Sequence, residues 1–119
     1  MTLIDRLSKL DGPDREVDAE ISIHFGAKPN MKLGHELLGN YRVVPNTFPA
    51  YTASVDAAIA LAERVLPGAN VLIGWGQTKE TKPWARIGVT PSHDATGFNL
   101  AIALCIAILR AKEASYAGN

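Results

Sequence analysis

Ten consecutive apolar residues, LAIALCIAIL at positions 100–109, constrain this chain more than any other stretch. A bilayer span needs ~20 such residues, and Arg110, Lys112 and Glu113 close the run with charge. Periodicity alone does not separate helix from strand in a continuous apolar run. Composition does: Ala101, Ala103, Ala107, Ala111 and Ala114 favour a helix and disfavour a strand. The reading is a helix over residues 96–114, buried on nearly all sides, with Asp94 or Thr96 as its cap. Leu100, Leu104 and Ile108 share one row, and so do Phe98, Ile102 and Ile106. Ala103, Ala107 and Ala111 form a smooth stripe between them. A small domain has room for one such rod, so the other elements are expected to pack around it.

At 119 residues the chain makes a single domain over 1–119, large enough to bury a core without staples. Twelve basic and twelve acidic side chains balance to zero, which argues against nucleic-acid binding by bulk charge. The single cysteine, Cys105, lies inside the apolar run and reads as an inert buried thiol. The apolar residues near the N-terminus are spaced and include Asp5, unlike a secretory signal. A cytoplasmic location without membrane association is expected.

Residues 2–10 place Leu3, Ile4, Leu7 and Leu10 on one helical face, with Thr2 as cap. Pro13, Asp14 and Glu16 suit the first turn of a second helix over 13–25, with Val17, Ile21 and Phe25 at spacing four and Gly26 as terminator. Residues 27–50 are punctuated by Gly34, Gly39, Pro29, Pro45 and Pro49, and within them residues 41–44 suggest an edge strand. A helix over 51–66, capped by Thr52 or Ser54, presents Val55, Ile59, Ala62 and Leu66 to the core and stops at Pro67-Gly68. Two strands follow. Residues 70–75 set Val71, Ile73 and Trp75 on one face. Residues 84–89 set Ala85, Ile87 and Val89 on one face and Trp84, Arg86 and Gly88 on the other. The polar link between them predicts an antiparallel hairpin, with residues 41–44 as third strand. The fold class is therefore α/β, an α+β sandwich: a small antiparallel sheet of 2–4 strands packed against helices in the order α-α-(β)-α-β-β-α.

Three blocks carry a family resemblance: LIDRLSKLDGPDREVDAEI at 3–21, YTASVDAAIALAERVLPG at 51–68 and ATGFNLAIALCIAILRA at 95–111. Together they resemble the phage ABA sandwich domain family of small phage and prophage proteins. Gly97 stands where that family commonly has proline, and Ala69-Asn70-Val71 replaces its aromatic-x-aromatic pair. The resemblance implies an α/β sandwich from a phage or prophage genome and carries no catalytic motif. Some phage proteins of this size sequester nucleotide signals of bacterial immunity, which is an analogy to the whole class rather than to the matched residues.

Chemistry-bearing residues are few. His24, His35 and His93 have no metal-ligand spacing, and neither a metal nor a cofactor is expected. Ser92-His93-Asp94 holds triad residue types, but adjacent side chains point apart. The stretch from Gly74 to Lys79 lacks the spacing of a phosphate loop. Tyr41 and Tyr51 form an aromatic pair suited to packing or an interface. The candidate ligand site combines Trp84 and Arg86 on one strand face with Ser92, His93, Thr96 and Asn99 in the turn feeding the last helix. There Trp84 stacks a ring, Arg86 pairs a phosphate and the helix N-terminus receives the anion. Two functions compete: non-enzymatic capture of a small nucleotide-like anion, and a structural or interaction module that forms a homo-oligomer or docks a host protein.

Overall fold

The computed structural model describes residues 2–25, 48–76, 81–88 and 92–117. Thr2 opens α1 (Leu3–Ser8) through a capping box: its hydroxyl accepts from the Asp5 amide and its amide donates to the Asp5 carboxylate. Helix α2 (Arg15–His24) begins two residues later than Pro13 suggests. Asp14 is the cap and accepts from the amides of Glu16 and Val17. An Arg6–Glu20 ion pair joins α1 to α2. Ser54, rather than Thr52, caps α3 (Val55–Val65), accepting from the Ala57 amide at 3.1 Å. The deepest face of α3 is Ala58, Leu61 and Ala62, with Ile59 and Leu66 only half-buried at its margin.

Among the described residues the sheet has three antiparallel strands in the order β1 (Val71–Gly74), β2 (Trp84–Ile87), β3 (His93–Thr96). Its third member is thus a segment that the sequence presents as a polar turn, and the proposed strand at 41–44 lies outside the described residues. The last helix, α4, correspondingly starts later, at Leu100, and runs to Ala117. Neither Asp94 nor Thr96 caps it. Asn99 does, its Oδ1 accepting from the Ile102 amide at 2.8 Å.

Helix α4 crosses one face of the sheet and is covered on its other side by α1 and α3. Every residue from Ala101 to Leu109 is buried, as the apolar run requires. Ala85, Ile87 and Ala95 meet α4 from the sheet, while Leu7, Val17, Ile21 and Leu61 close the helical side. The described part is an α+β fold with its small sheet packed on helices, and no helix among the described residues is long and apolar enough to cross a membrane. Burial pushes the Cys105 thiol up to about 12, with the charge of Asp18 adding to it, so it stays protonated.

A polar knot fastens the layers. Asp18 is fully buried, and its carboxylate accepts from the Thr52 amide (2.7 Å), the Thr52 hydroxyl (2.7 Å) and Arg15 Nη1 (2.8 Å). Thr52 is the junction: its hydroxyl also accepts from the Asp14 amide, and its carbonyl accepts from Asn99 Nδ2 at 3.1 Å. One residue therefore ties α2, the lead-in to α3 and the start of α4. Lys112 adds a tie at the far end, donating to the Val65 carbonyl at 3.0 Å, where a cation suits a helix C-terminus.

Two stability predictions follow from this packing. Asp18→Ala removes the acceptor shared by the Thr52 amide, the Thr52 hydroxyl and Arg15 Nη1 and is expected to cost about 3 kcal/mol in urea unfolding. A Cβ at Gly97 would stand 2.9 Å from the Ala103 amide nitrogen and 2.9 Å from Ile102 Cγ2, whereas one at Gly12 would meet nothing within 4 Å. Gly97→Ala is therefore expected to destabilise by about 1–3 kcal/mol, and Gly12→Ala to leave the unfolding midpoint nearly unchanged.

Candidate functional site: an open cleft on the outer face of the sheet

Strand register decides which side chains meet. Gly97 donates its amide to Pro83 and Gly88 donates to Asn70. With Trp84 opposite Thr96 and Arg86 opposite Asp94, these two pairs fall at the non-hydrogen-bonded positions of the β2–β3 ladder, where facing side chains are closest. Pairs across the ladder share a face. The side away from α4 therefore carries Leu72, Gly74, Trp84, Arg86, Asp94 and Thr96.

Trp84 lies across Gly74. A Cβ on that glycine would come within 2.5 Å of Trp84 Cζ2, so the missing side chain is what lets the indole lie down on β1. Arg86 and Asp94 form a two-pronged pair, Nε to Oδ1 at 2.8 Å and Nη2 to Oδ2 at 3.1 Å. The Arg86 guanidinium carbon is 6.0 Å from the Trp84 ring centre, at the outer reach of a cation–π contact. The same register turns the Asp94 carbonyl away from β2, toward the open edge, where Arg110 of α4 donates to it at 2.7 Å. Asp94 thus fixes two guanidiniums, one by its side chain and one by its main chain.

These groups border a cleft of about 520 Å³. Trp84, Arg86, Asp94 and Thr96 form its floor, Thr81 and Lys82 one wall, and Arg110 another. Among the described residues of its lining, three cations against one carboxylate leave a formal excess of two positive charges. The Arg86 hydrogen bond, then its charge, holds the Asp94 carboxyl below the usual carboxylate range, helped by the charge of His93 and by the Ser92 hydroxyl. The same bond raises Arg86.

Of the six residues singled out from sequence, the structure brings Trp84, Arg86 and Thr96 together. It separates the others. Strand alternation turns His93 to the α4 side, beside Ile87, while Asp94 points outward, so Ser92, His93 and Asp94 assemble no triad. Ser92 precedes the strand, exposed, outside the cleft lining. Asn99 spends both ends of its amide on Thr52 and Ile102 and is part of the frame. Arg86 differs from expectation too: it is already paired, not waiting for an anion. Sequence reasoning missed Lys82, Asp94 as a site residue, and Arg110, which it assigned to the helix end. The pointer available was the short β2–turn–β3 spacing, which sets Asp94 opposite Arg86. Among the described residues no cluster of His, Cys, Asp and Glu is arranged to hold a metal.

Searched against protein-family models, curated proteins and solved structures, the chain matches none.

The Arg86–Asp94 pair makes a pH prediction. A carboxyl whose folded value is lowered contributes stability that is present above its unfolded value and is lost as pH falls through the folded value. Both side chains are about half exposed, 45% and 55%, so the contribution is small. In an NMR titration the Asp94 carboxyl is expected to titrate below 3.8 and to move back up in Arg86→Gln.

Proposed function

We propose that this is a non-enzymatic small-ligand-binding protein of phage or prophage origin, which captures an anionic, ring-bearing molecule of the nucleotide kind on the outer face of its sheet and so withholds a nucleotide-derived signal of its host. The observation that carries the capture reading is the juxtaposition in one cleft of the Trp84 indole with Arg86, Lys82 and Arg110. An indole supplies a flat apolar surface for a ring, and guanidiniums supply directed donors for phosphate oxygens. A volume near 520 Å³ falls within the range of small-molecule sites. The phage origin rests on the resemblance of the three sequence blocks, and the signal on the analogy to other phage proteins of this size.

A second reading is favoured by a separate observation. Leu72 and Trp75 stand 52% and 70% exposed at one side of the sheet, and Phe98 is 54% exposed. Large apolar side chains left in water suit a contact surface, so an interaction module, in the form of a homo-oligomer or a docking partner for a host protein, is the alternative.

Thermal unfolding with a panel of linear and cyclic nucleotides separates the two. Capture predicts a rise in Tm, since a ligand at a hundredfold excess over Kd stabilises the native state by about 2.7 kcal/mol. Arg86→Ala is expected to abolish the rise while leaving the protein folded. A flat response across the panel, together with a concentration-dependent oligomer in analytical ultracentrifugation, would favour the interaction module.

A further inference from the structure

Among the described residues the cleft has one carboxylate beside its cations, Asp94, and where it sits bears on what can bind. Asp94 lies between two guanidiniums. Arg86 is held on the outer face by the Asp94 side chain, and Arg110 is held at the strand edge by the Asp94 carbonyl. An anion placed midway, touching both, would lie against the ionised Asp94 carboxylate and be repelled. The positive potential is therefore split into two lobes, one on each side of Asp94.

Each lobe keeps donors. A guanidinium has five N–H groups. Asp94 takes two of those on Arg86, and a neutral carbonyl takes one on Arg110. The Arg110 charge is not cancelled by that carbonyl, and Lys82 has no ion-pair partner among the described residues. Trp84 lies beside Arg86, so a ring stacked on its indole would direct the rest of the molecule along the floor past Asp94.

Resting on the capture reading above, we infer that the cleft selects a nucleoside carrying two phosphate groups over one carrying a single phosphate, with one group on Arg86 and the second on Arg110, Lys82 on the other wall adding to the positive potential.

Isothermal titration of the intact protein tests this with three probes sharing one base: adenosine 5′-monophosphate, adenosine 5′-diphosphate and adenosine 3′,5′-bisphosphate. At least one of the two-phosphate probes is expected to bind about tenfold tighter than the monophosphate, the gain of one added charge-assisted contact. The difference should shrink as salt is raised. Arg110→Gln, checked for native folding by circular dichroism, is expected to erase most of the preference while changing monophosphate affinity by less than about threefold. Lys82→Gln, on a different segment, should lower the same preference, so a folding defect in one variant leaves the other to report. Equal binding of all three probes, or a preference untouched by both substitutions, overturns the two-phosphate inference and leaves ligand capture standing. Absence of binding by all three probes and by the whole wider nucleotide panel overturns both.

Discussion

A helix that is apolar on every side must be covered on every side, and the rest of this structure follows from that requirement. Residues 101–109 have no face to give to water. A sheet covers one flank of α4, and α1 and α3 cover the other. Among the described residues, helices pack on one side of the sheet only. With α4 taking its inner face, the outer face is left with the side chains that register assigns to it, and apart from Leu72 and Gly74 those are charged, aromatic or hydroxyl-bearing. The cleft is thus a by-product of how the rod is buried: the inner members of β2 and β3 are Ala85, Ile87 and Ala95, and their outward neighbours are Trp84, Arg86, Asp94 and Thr96.

Apolar burial alone would leave the helices free to slide, since hydrophobic contact is not directional. The Asp18–Thr52 knot supplies the direction. A buried carboxylate is tolerated only when its acceptor sites are filled, and here the Thr52 amide and hydroxyl and Arg15 fill them. Because the Thr52 carbonyl also holds Asn99, the position of the first turn of α4 is set by the same residue that docks α2. The entry to the rod and the exit from β3 are therefore referenced to the helical layer.

Much of this was legible in the residues. The ten-residue apolar run, the Thr2 and Ser54 caps and the β1–β2 alternation all rest on local signals, and the helices and the first hairpin exist where those signals point, although α2, α3 and α4 each start two to four residues later. Strand β3 was not legible for a physical reason. His93-Asp94-Ala95-Thr96 is short, has a single apolar residue and consists mostly of types that favour caps and turns. Its conformation is imposed by pairing with β2, a non-local cause. The same applies to Asn99, whose capping role depends on where β3 ends. The site was half legible: the alternation that pairs Trp84 with Arg86 is visible in sequence, but the contributions of Asp94 and Arg110 depend on register and on a helix passing beneath the sheet. The outward exposure of Trp75 shows the converse, a residue whose pattern suggests a core face but which lies just past the end of β1.

Gly97 has a consequence beyond packing. With no side chain at that joint, the chain passes from β3 to α4 with almost no slack, and Asp94 and Arg110 are sixteen residues apart along a short, stiff leash. The short path keeps the two backbones close, and the hydrogen bond to the Asp94 carbonyl then fixes the Arg110 guanidinium. Groups held in place by such a path lose little freedom when something docks against them, so the entropic penalty that flexible surface cations incur on meeting an anion has here been met largely during folding.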